Sequence, residues 1–148
     1  MVAHVGKAKR QISPDLDLLV DGKYLAKIAQ LMPVKDSLLG LSSLGSTIDI
    51  DIIATHDQIT TNALATARLM TVGGVLLRII TKEYLAAMKF LTGRDKDMHD
   101  LALLLGAIDL PDAEALPFKV RDILMHSAPN AVEDFDSWIS AFNAGVRL

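Results

Sequence analysis

Two acidic stretches decide the fold of this chain: "SPDLDLLV" at residues 13–20 and "TIDIDIIA" at residues 47–54. Both are rich in leucine or β-branched residues, which favours β-strands. Each stretch carries two aspartates that are two residues apart. Residues with that spacing project from the same face of a strand, so each strand is predicted to have one acidic face and one apolar face. The apolar faces are predicted to belong to the core.

The four aspartates of these strands are Asp15, Asp17, Asp49 and Asp51. One interpretation is a pair of ordinary half-exposed strands with polar outer faces. Aspartate is a poor strand former, however, and like charges gathered on one face repel each other. A divalent cation removes that repulsion, and Mg²⁺ (or Mn²⁺) prefers carboxylate and phosphate oxygens. The pattern therefore also favours a metal site on neighbouring strands.

Composition limits the class of protein. The chain has 148 residues, a net charge of −3 and 51% hydrophobic residues, which is typical of one soluble globular domain. Its longest apolar stretches are too short for a membrane helix, and the N-terminus has no apolar signal-peptide core. The chain has no cysteine, which fits a reducing compartment. We therefore expect a cytoplasmic protein that does not contact a membrane.

The order of predicted elements indicates an α+β fold with a small mixed sheet that carries the acidic strands and is covered by helices. About residues 1–80 are predicted to form the sheet-bearing core and about 81–148 a helical part of the same domain. The predicted early elements are a strand at 12–20, a helix at 22–32, a weak apolar segment at 37–41, a strand at 47–54, a helix at 58–71 and a strand at 75–80. The predicted later elements are helices over "KEYLAAMKFLT" and "DKDMHDLALLLGA", a helix at 112–126 interrupted near Pro117, and a helix at 131–144.

A family resemblance rests on three motifs in order. "SPDLDLLV" resembles the D-x-D strand of the nucleotidyltransferase superfamily, which shares its fold with the catalytic domain of polymerase beta. "IDIDII" resembles the later strand that carries the third carboxylate in that family. "TKEYLAAMKFLTGRDKDMHDLALLL" at residues 81–105 is similar to a segment of small stand-alone bacterial members, among them abortive-infection and toxin–antitoxin relatives.

The resemblance implies a site built on carboxylates and cations. Asp15 and Asp17 would ligate Mg²⁺ (or Mn²⁺), and Asp51 would be the third carboxylate, with Asp49 as the alternative. Nucleotidyl transfer requires neutralisation of the charge that develops on the attacking and leaving oxygens, which suits metal ions and cationic side chains. The residues that would approach the nucleoside triphosphate are Ser13, Lys89, Arg94 and Lys96. The three cations are predicted to border the same cleft as the aspartates.

The chain departs from the family pattern before the first acidic strand. The Gly-Gly or Gly-Ser element that precedes the D-x-D strand is missing, and the usual Arg-x-Thr appears as Gln11-x-Ser13. Two functions therefore stay open. One is a metal-dependent transfer of a nucleoside monophosphate to RNA or protein, with an antitoxin or another protein as partner. The other is a catalytically degenerate nucleotidyltransferase-like domain that serves as a binding or regulatory partner. We expect the chain alone to bind a divalent metal but to transfer poorly.

Overall fold

The computed structural model of the chain describes residues 16–31, 34–37, 40–43, 50–72, 74–106 and 113–145. The chain forms two compact units, Met1–Ile79 and Ile80–Leu148. The described strands all lie in the first unit, and the described part of the second unit is helical. The boundary lies next to the predicted division near residue 80. No helix within the described ranges is long and apolar enough to cross a membrane.

The described strands build two sheets. Their bounds are Leu16–Val20 (β1), Val34–Ser37 (β2), Gly40–Ser43 (β3), Ile50–Ala54 (β4), Arg68–Val72 (β5) and Val75–Ile79 (β6). The larger sheet has the order β1-β4-β3-β2, in which only the β1–β4 pair is parallel. β5 and β6 form a two-stranded antiparallel hairpin. The prediction of an α+β fold with a small mixed sheet is confirmed.

Two of the described α-helices lie in the first unit and four lie in the second. Their bounds are Leu25–Leu31 (α1), Gln58–Thr66 (α2), Lys82–Thr92 (α3), Asp95–Leu105 (α4), Leu116–Ser127 (α5) and Val132–Asn143 (α6). Gly93 ends α3 as predicted, because its φ of 64° lies in the left-handed region that a Cβ atom disfavours. Its N–H donates to the carbonyl of Lys89 and satisfies one of the open carbonyls at the helix end.

The two neighbouring strands β1 and β4 differ in how well their apolar face is covered. Ile52 of central β4 is only 2% exposed, whereas Leu18, its partner on β1, is 40% exposed. Among the described strands, β1 lies at the edge of its sheet and pairs only with β4. The predicted apolar core face is therefore buried at Ile52 of β4 and partly exposed at Leu18 of β1.

The prediction of one helix over 58–71 is wrong after residue 66. α2 ends at Thr66, and the chain enters strand β5 at Arg68. Arg78 of β6 donates to the carbonyls of Leu64 and Ala67 at 3.2 and 3.5 Å. A distant arginine thus satisfies open carbonyls at the end of α2, where the sequence shows no glycine stop signal.

Two further predictions need correction. The apolar segment predicted at 37–41 contains parts of two strands, β2 and β3, which pair as a hairpin. The predicted interruption near Pro117 does not occur, because Pro117 lies in the first turn of α5. Proline is tolerated there, since the first N–H groups of a helix have no intrahelical acceptor.

The second unit has a helical core. The buried side chains of α5 are Leu116, Val120 and Leu124, and α3 contributes Ala86 and Ala87. Phe135 of α6 is 1% exposed, and its ring meets that of Phe90 edge-to-face at 5.0 Å. Trp138 stacks on Phe142 at 5.4 Å and lies 6.5 Å from Phe90. The aromatic face predicted for the last helix is confirmed.

Candidate functional site

The two acidic strands are neighbours in one sheet. β1 and β4 pair in parallel, and Asp17 lies directly opposite Asp51 in their register. Paired residues on adjacent strands share a face, and neighbouring strands lie about 4.8 Å apart. Both aspartates are exposed on that face, whereas Ile52 on the opposite face is buried. The predicted adjacency of the two strands is thus confirmed.

Three of the predicted site residues lie outside the described residues. They are Ser13, Asp15 and Asp49. The roles assigned to them stay predictions. Asp17 and Asp51 are the predicted carboxylates that the structure describes, and they are the two that its register brings together.

The chemistry of this pair suits a hard cation. Mg²⁺ is commonly held by one or two carboxylates together with water and substrate phosphates. Two accessible carboxylates on adjacent strands provide such ligands on a rigid element. Within the described ranges, no group of three or more His, Asp or Glu side chains is arranged to hold a metal ion.

The sheet extends this row of residues beyond the two aspartates. Asp51 pairs with Ser42 of β3, and Ser42 pairs with Lys35 of β2. A hydroxyl residue and a lysine thus continue the row that begins at Asp17. Sequence reasoning missed both, because β2 and β3 have no strong alternating pattern and were not predicted as strands.

Hydrogen bonds hold the carboxyl ends of β1 and β4 together. The N–H of Thr55 donates to the carbonyl of Val20 at 2.8 Å, and the N–H of Gly22 donates to the Thr55 hydroxyl at 3.3 Å. Asp57 then caps α2, accepting from the N–H of Thr60 at 2.8 Å in a capping box. Contacts at the strand ends therefore support the register that places Asp17 beside Asp51.

The cationic motif of the second unit forms a buried charge cluster. Lys89 of α3 donates to Asp97 at 3.3 Å and to Asp100 at 2.8 Å, both on α4. The side chain of Lys89 is 21% exposed and those of the two aspartates are 6% exposed. Arg94 also donates its Nε to Asp97. The ion pairs of Lys89 thus join α3 to α4.

Arg94 and Lys96 lie at the start of α4. Arg94 is its N-cap residue, and its side chain is 68% exposed while Asp97 holds its Nε. Lys96, in the first turn, is also exposed. The aspartate pair and these cations belong to different compact units. Their predicted placement around one cleft therefore stays a prediction.

The charge cluster leads us to predict how the free energy of unfolding changes at low pH. Burial by itself would raise the pKa of Asp97, but hydrogen bonds and charges from Arg94 and Lys89 outweigh it, and the pKa lies below its ordinary value of 3.8. A depressed pKa stabilises the folded state above the unfolded pKa, and this contribution is lost as pH falls through the folded pKa. We expect the free energy of unfolding of the second unit to fall below about pH 4 by at most about 1.4 kcal/mol per pH unit for this group.

The measurement is urea unfolding followed by the fluorescence of Trp138, the chain's single tryptophan, which lies in the second unit. Asp97→Asn should flatten the decline below pH 4. Asp122→Asn, at a carboxylate that is 67% exposed, is the control and should leave the decline unchanged. Equal pH profiles for the wild type and Asp97→Asn would contradict the assignment.

Comparison with known proteins adds no relative. No family model matches the chain, and no curated protein matches it in sequence at a significant level. The nucleotidyltransferase resemblance therefore stays a prediction that rests on the three sequence motifs.

Proposed function

We propose that the chain binds a nucleoside triphosphate with Mg²⁺ (or Mn²⁺) and transfers its nucleoside monophosphate to an acceptor. The observation that carries the proposal is the register of Asp17 opposite Asp51 on adjacent parallel strands. Two carboxylates side by side offer anionic oxygens of the kind that a hard divalent cation binds. The strands thus support a site whose occupant is a hard cation.

Each part of the proposed site has a distinct task. Asp15, Asp17 and Asp51 would hold the metal. Asp49 is the alternative to Asp51 as the third carboxylate. When bound, the metal neutralises charge on phosphate oxygens during transfer. The resemblance assigns Ser13, Lys89, Arg94 and Lys96 to the triphosphate, and within the first unit Lys35 occupies a register position in the aspartate row. Lys and Arg suit this task because they neutralise phosphate charge.

A second candidate function is a nucleotidyltransferase-like binding or regulatory domain without transfer. The observation in its favour is the position of Lys89. This lysine, predicted to contact the triphosphate, is paired with two buried aspartates. Lys89 is less available to a phosphate, because moving its ammonium away would leave two buried carboxylates without that positive charge.

The acceptor and partners follow from the resemblance alone. An RNA or a protein is the proposed acceptor, and an antitoxin-like protein is a proposed partner. A cytoplasmic location, where nucleoside triphosphates are abundant and thiols stay reduced, completes the proposal.

Two measurements test the proposal. The first is the melting temperature with Mg²⁺ and each of the four ribonucleoside triphosphates, because a ligand that binds only the native state must raise it. The second is incubation with nucleoside triphosphates labelled at the α-phosphate, with RNA and protein acceptors supplied separately. Stabilisation with label transfer supports the enzyme. Stabilisation without transfer supports the binding domain. No stabilisation and no transfer would overturn both.

A further inference from the structure

A lysine shares a row of the larger sheet with the two paired aspartates. Asp17 of β1 lies opposite Asp51 of β4. Asp51 in turn lies opposite Ser42 of β3, and Ser42 lies opposite Lys35 of β2. Residues that lie opposite each other on neighbouring strands share one face of a sheet. The face that carries the two carboxylates therefore also carries a residue of opposite charge, at a register position two strands away from Asp51.

Several other cations of the described chain are engaged elsewhere. Lys89 is held by two buried carboxylates and belongs to the second unit. In the first unit, Lys23 pairs with Asp21 at 2.7 Å, and Arg78 donates to the carbonyls at the end of α2. Lys35, by contrast, is brought by the strand register into the row of the aspartate pair.

The charge of a nucleotide makes a cation at that position useful. A triphosphate carries more negative charge than one Mg²⁺ neutralises, and the two carboxylates add to the excess. Transfer of a nucleoside monophosphate breaks the bond between the first and second phosphates, so the assisting metal lies at the first. Neighbouring strands lie about 4.8 Å apart, which separates the backbones of Lys35 and Asp51 by about 10 Å. Of the two ends of the nucleotide, the pyrophosphate end is the anionic one, so a lysine at that distance is complementary to it.

We infer that Lys35 binds the second and third phosphates of the nucleotide and neutralises the pyrophosphate that leaves. This inference rests on the proposed function, because it takes Asp17 and Asp51 as the metal site. It assigns the phosphate contact to the unit that carries the aspartate pair, in place of Lys89 in the second unit. Pre-placed positive charge of this kind stabilises a leaving group as its negative charge develops.

Calorimetric titration tests the inference, with the Mg²⁺ complexes of the four ribonucleoside triphosphates and of the corresponding monophosphates. Lys35→Met should weaken triphosphate binding about tenfold or more, because a hydrogen bond between charged groups is lost. Monophosphate binding should change little, since the first phosphate lies at the metal. Lys35→Arg keeps the positive charge and should retain most of the triphosphate affinity.

Two controls separate loss of the phosphate contact from general effects. Lys27→Met removes the same charge from an exposed position on α1 of the same unit, outside the row, and should bind triphosphate like the wild type. Binding of Mn²⁺ without nucleotide, followed by electron paramagnetic resonance, should be no weaker in Lys35→Met, because the carboxylates remain. Circular dichroism spectra that coincide with the wild type would show that the variants are folded.

The outcomes distinguish this inference from the proposed function. Triphosphate binding that is equal or tighter in Lys35→Met would overturn the inference alone and leave Lys35 as a counter-charge of the aspartates. An equal loss of triphosphate and monophosphate binding would also overturn it, as would a loss of Mn²⁺ binding of the same size. Absence of triphosphate binding by the wild type would overturn the proposed function and this inference with it.

Discussion

We expect Asp17→Asn and Asp51→Asn each to abolish the rise in melting temperature that Mg²⁺ with a nucleoside triphosphate should produce in the wild type if the proposed function holds. Each substitution replaces an anionic ligand with a neutral amide at nearly constant volume, and hard divalent cations bind anionic oxygen far better. At a ligand concentration of about 100 times Kd, the linked stabilisation that disappears is about 2.7 kcal/mol. Label transfer, where the wild type shows it, is lost in both variants.

The stability of these variants without ligand separates a binding role from a structural one. Asp17 and Asp51 lie opposite each other, and like charges in that position destabilise a sheet. Urea unfolding of each variant without ligand checks that the variant is folded, so that a lost ligand effect reports on binding. Asp122→Asn, at an exposed position on α5, should retain the full ligand effect. A ligand effect that persisted in both strand variants would exclude this pair as the metal site.

Lys89→Met destabilises the second unit by about 3–5 kcal/mol, the cost observed when one partner of a buried ion pair is removed. The ammonium of Lys89 donates to Asp97 and Asp100, whose side chains are 6% exposed. Methionine has similar length and removes the charge, so the two carboxylates lose a shared partner inside the protein. The measurement is urea unfolding at pH 7 followed by Trp138 fluorescence, which reports on the second unit.

Two further variants separate loss of the ion pair from loss of packing. Lys119→Met removes a lysine that is 43% exposed and lies 3.7 Å from Glu83, and this longer and more exposed ion pair should contribute less to stability than that of Lys89. The triple variant Lys89→Met, Asp97→Asn, Asp100→Asn removes the stranded charges and should recover part of the lost stability. A triple variant less stable than Lys89→Met would contradict the buried-charge explanation.

Local sequence patterns predicted several features correctly because the responsible forces act over a few residues. Alternation of aspartate with leucine or isoleucine identified β1 and β4 and separated an acidic face from an apolar one. Gly93 marked the end of α3, since its positive φ is a local backbone requirement. The acids that open α4 were predicted from the helix dipole, which acts within one turn. The spacing of Phe135, Trp138 and Phe142 predicted the aromatic face of α6.

Features that depend on partners distant in sequence were not predictable in this way. The hairpin β2–β3 has weak strand patterns, and its strands form because β4 provides a neighbour for β3. The end of α2 depends on Arg78, which lies fourteen residues after Leu64 in the chain. Lys89 has two partners on the next helix, so its pairing is set by how α3 and α4 pack.

The sequence by itself determined which faces are acidic, which are apolar and where most helices begin and end, because side-chain periodicity and capping are local. Only the tertiary structure decided that Asp17 lies opposite Asp51, that Ser42 and Lys35 continue their row, and that Lys89 is shared by two buried carboxylates. Strand register and ion-pair choice are set by the packing of elements far apart in the chain. A one-residue shift in register would move every side chain of a strand to the opposite face.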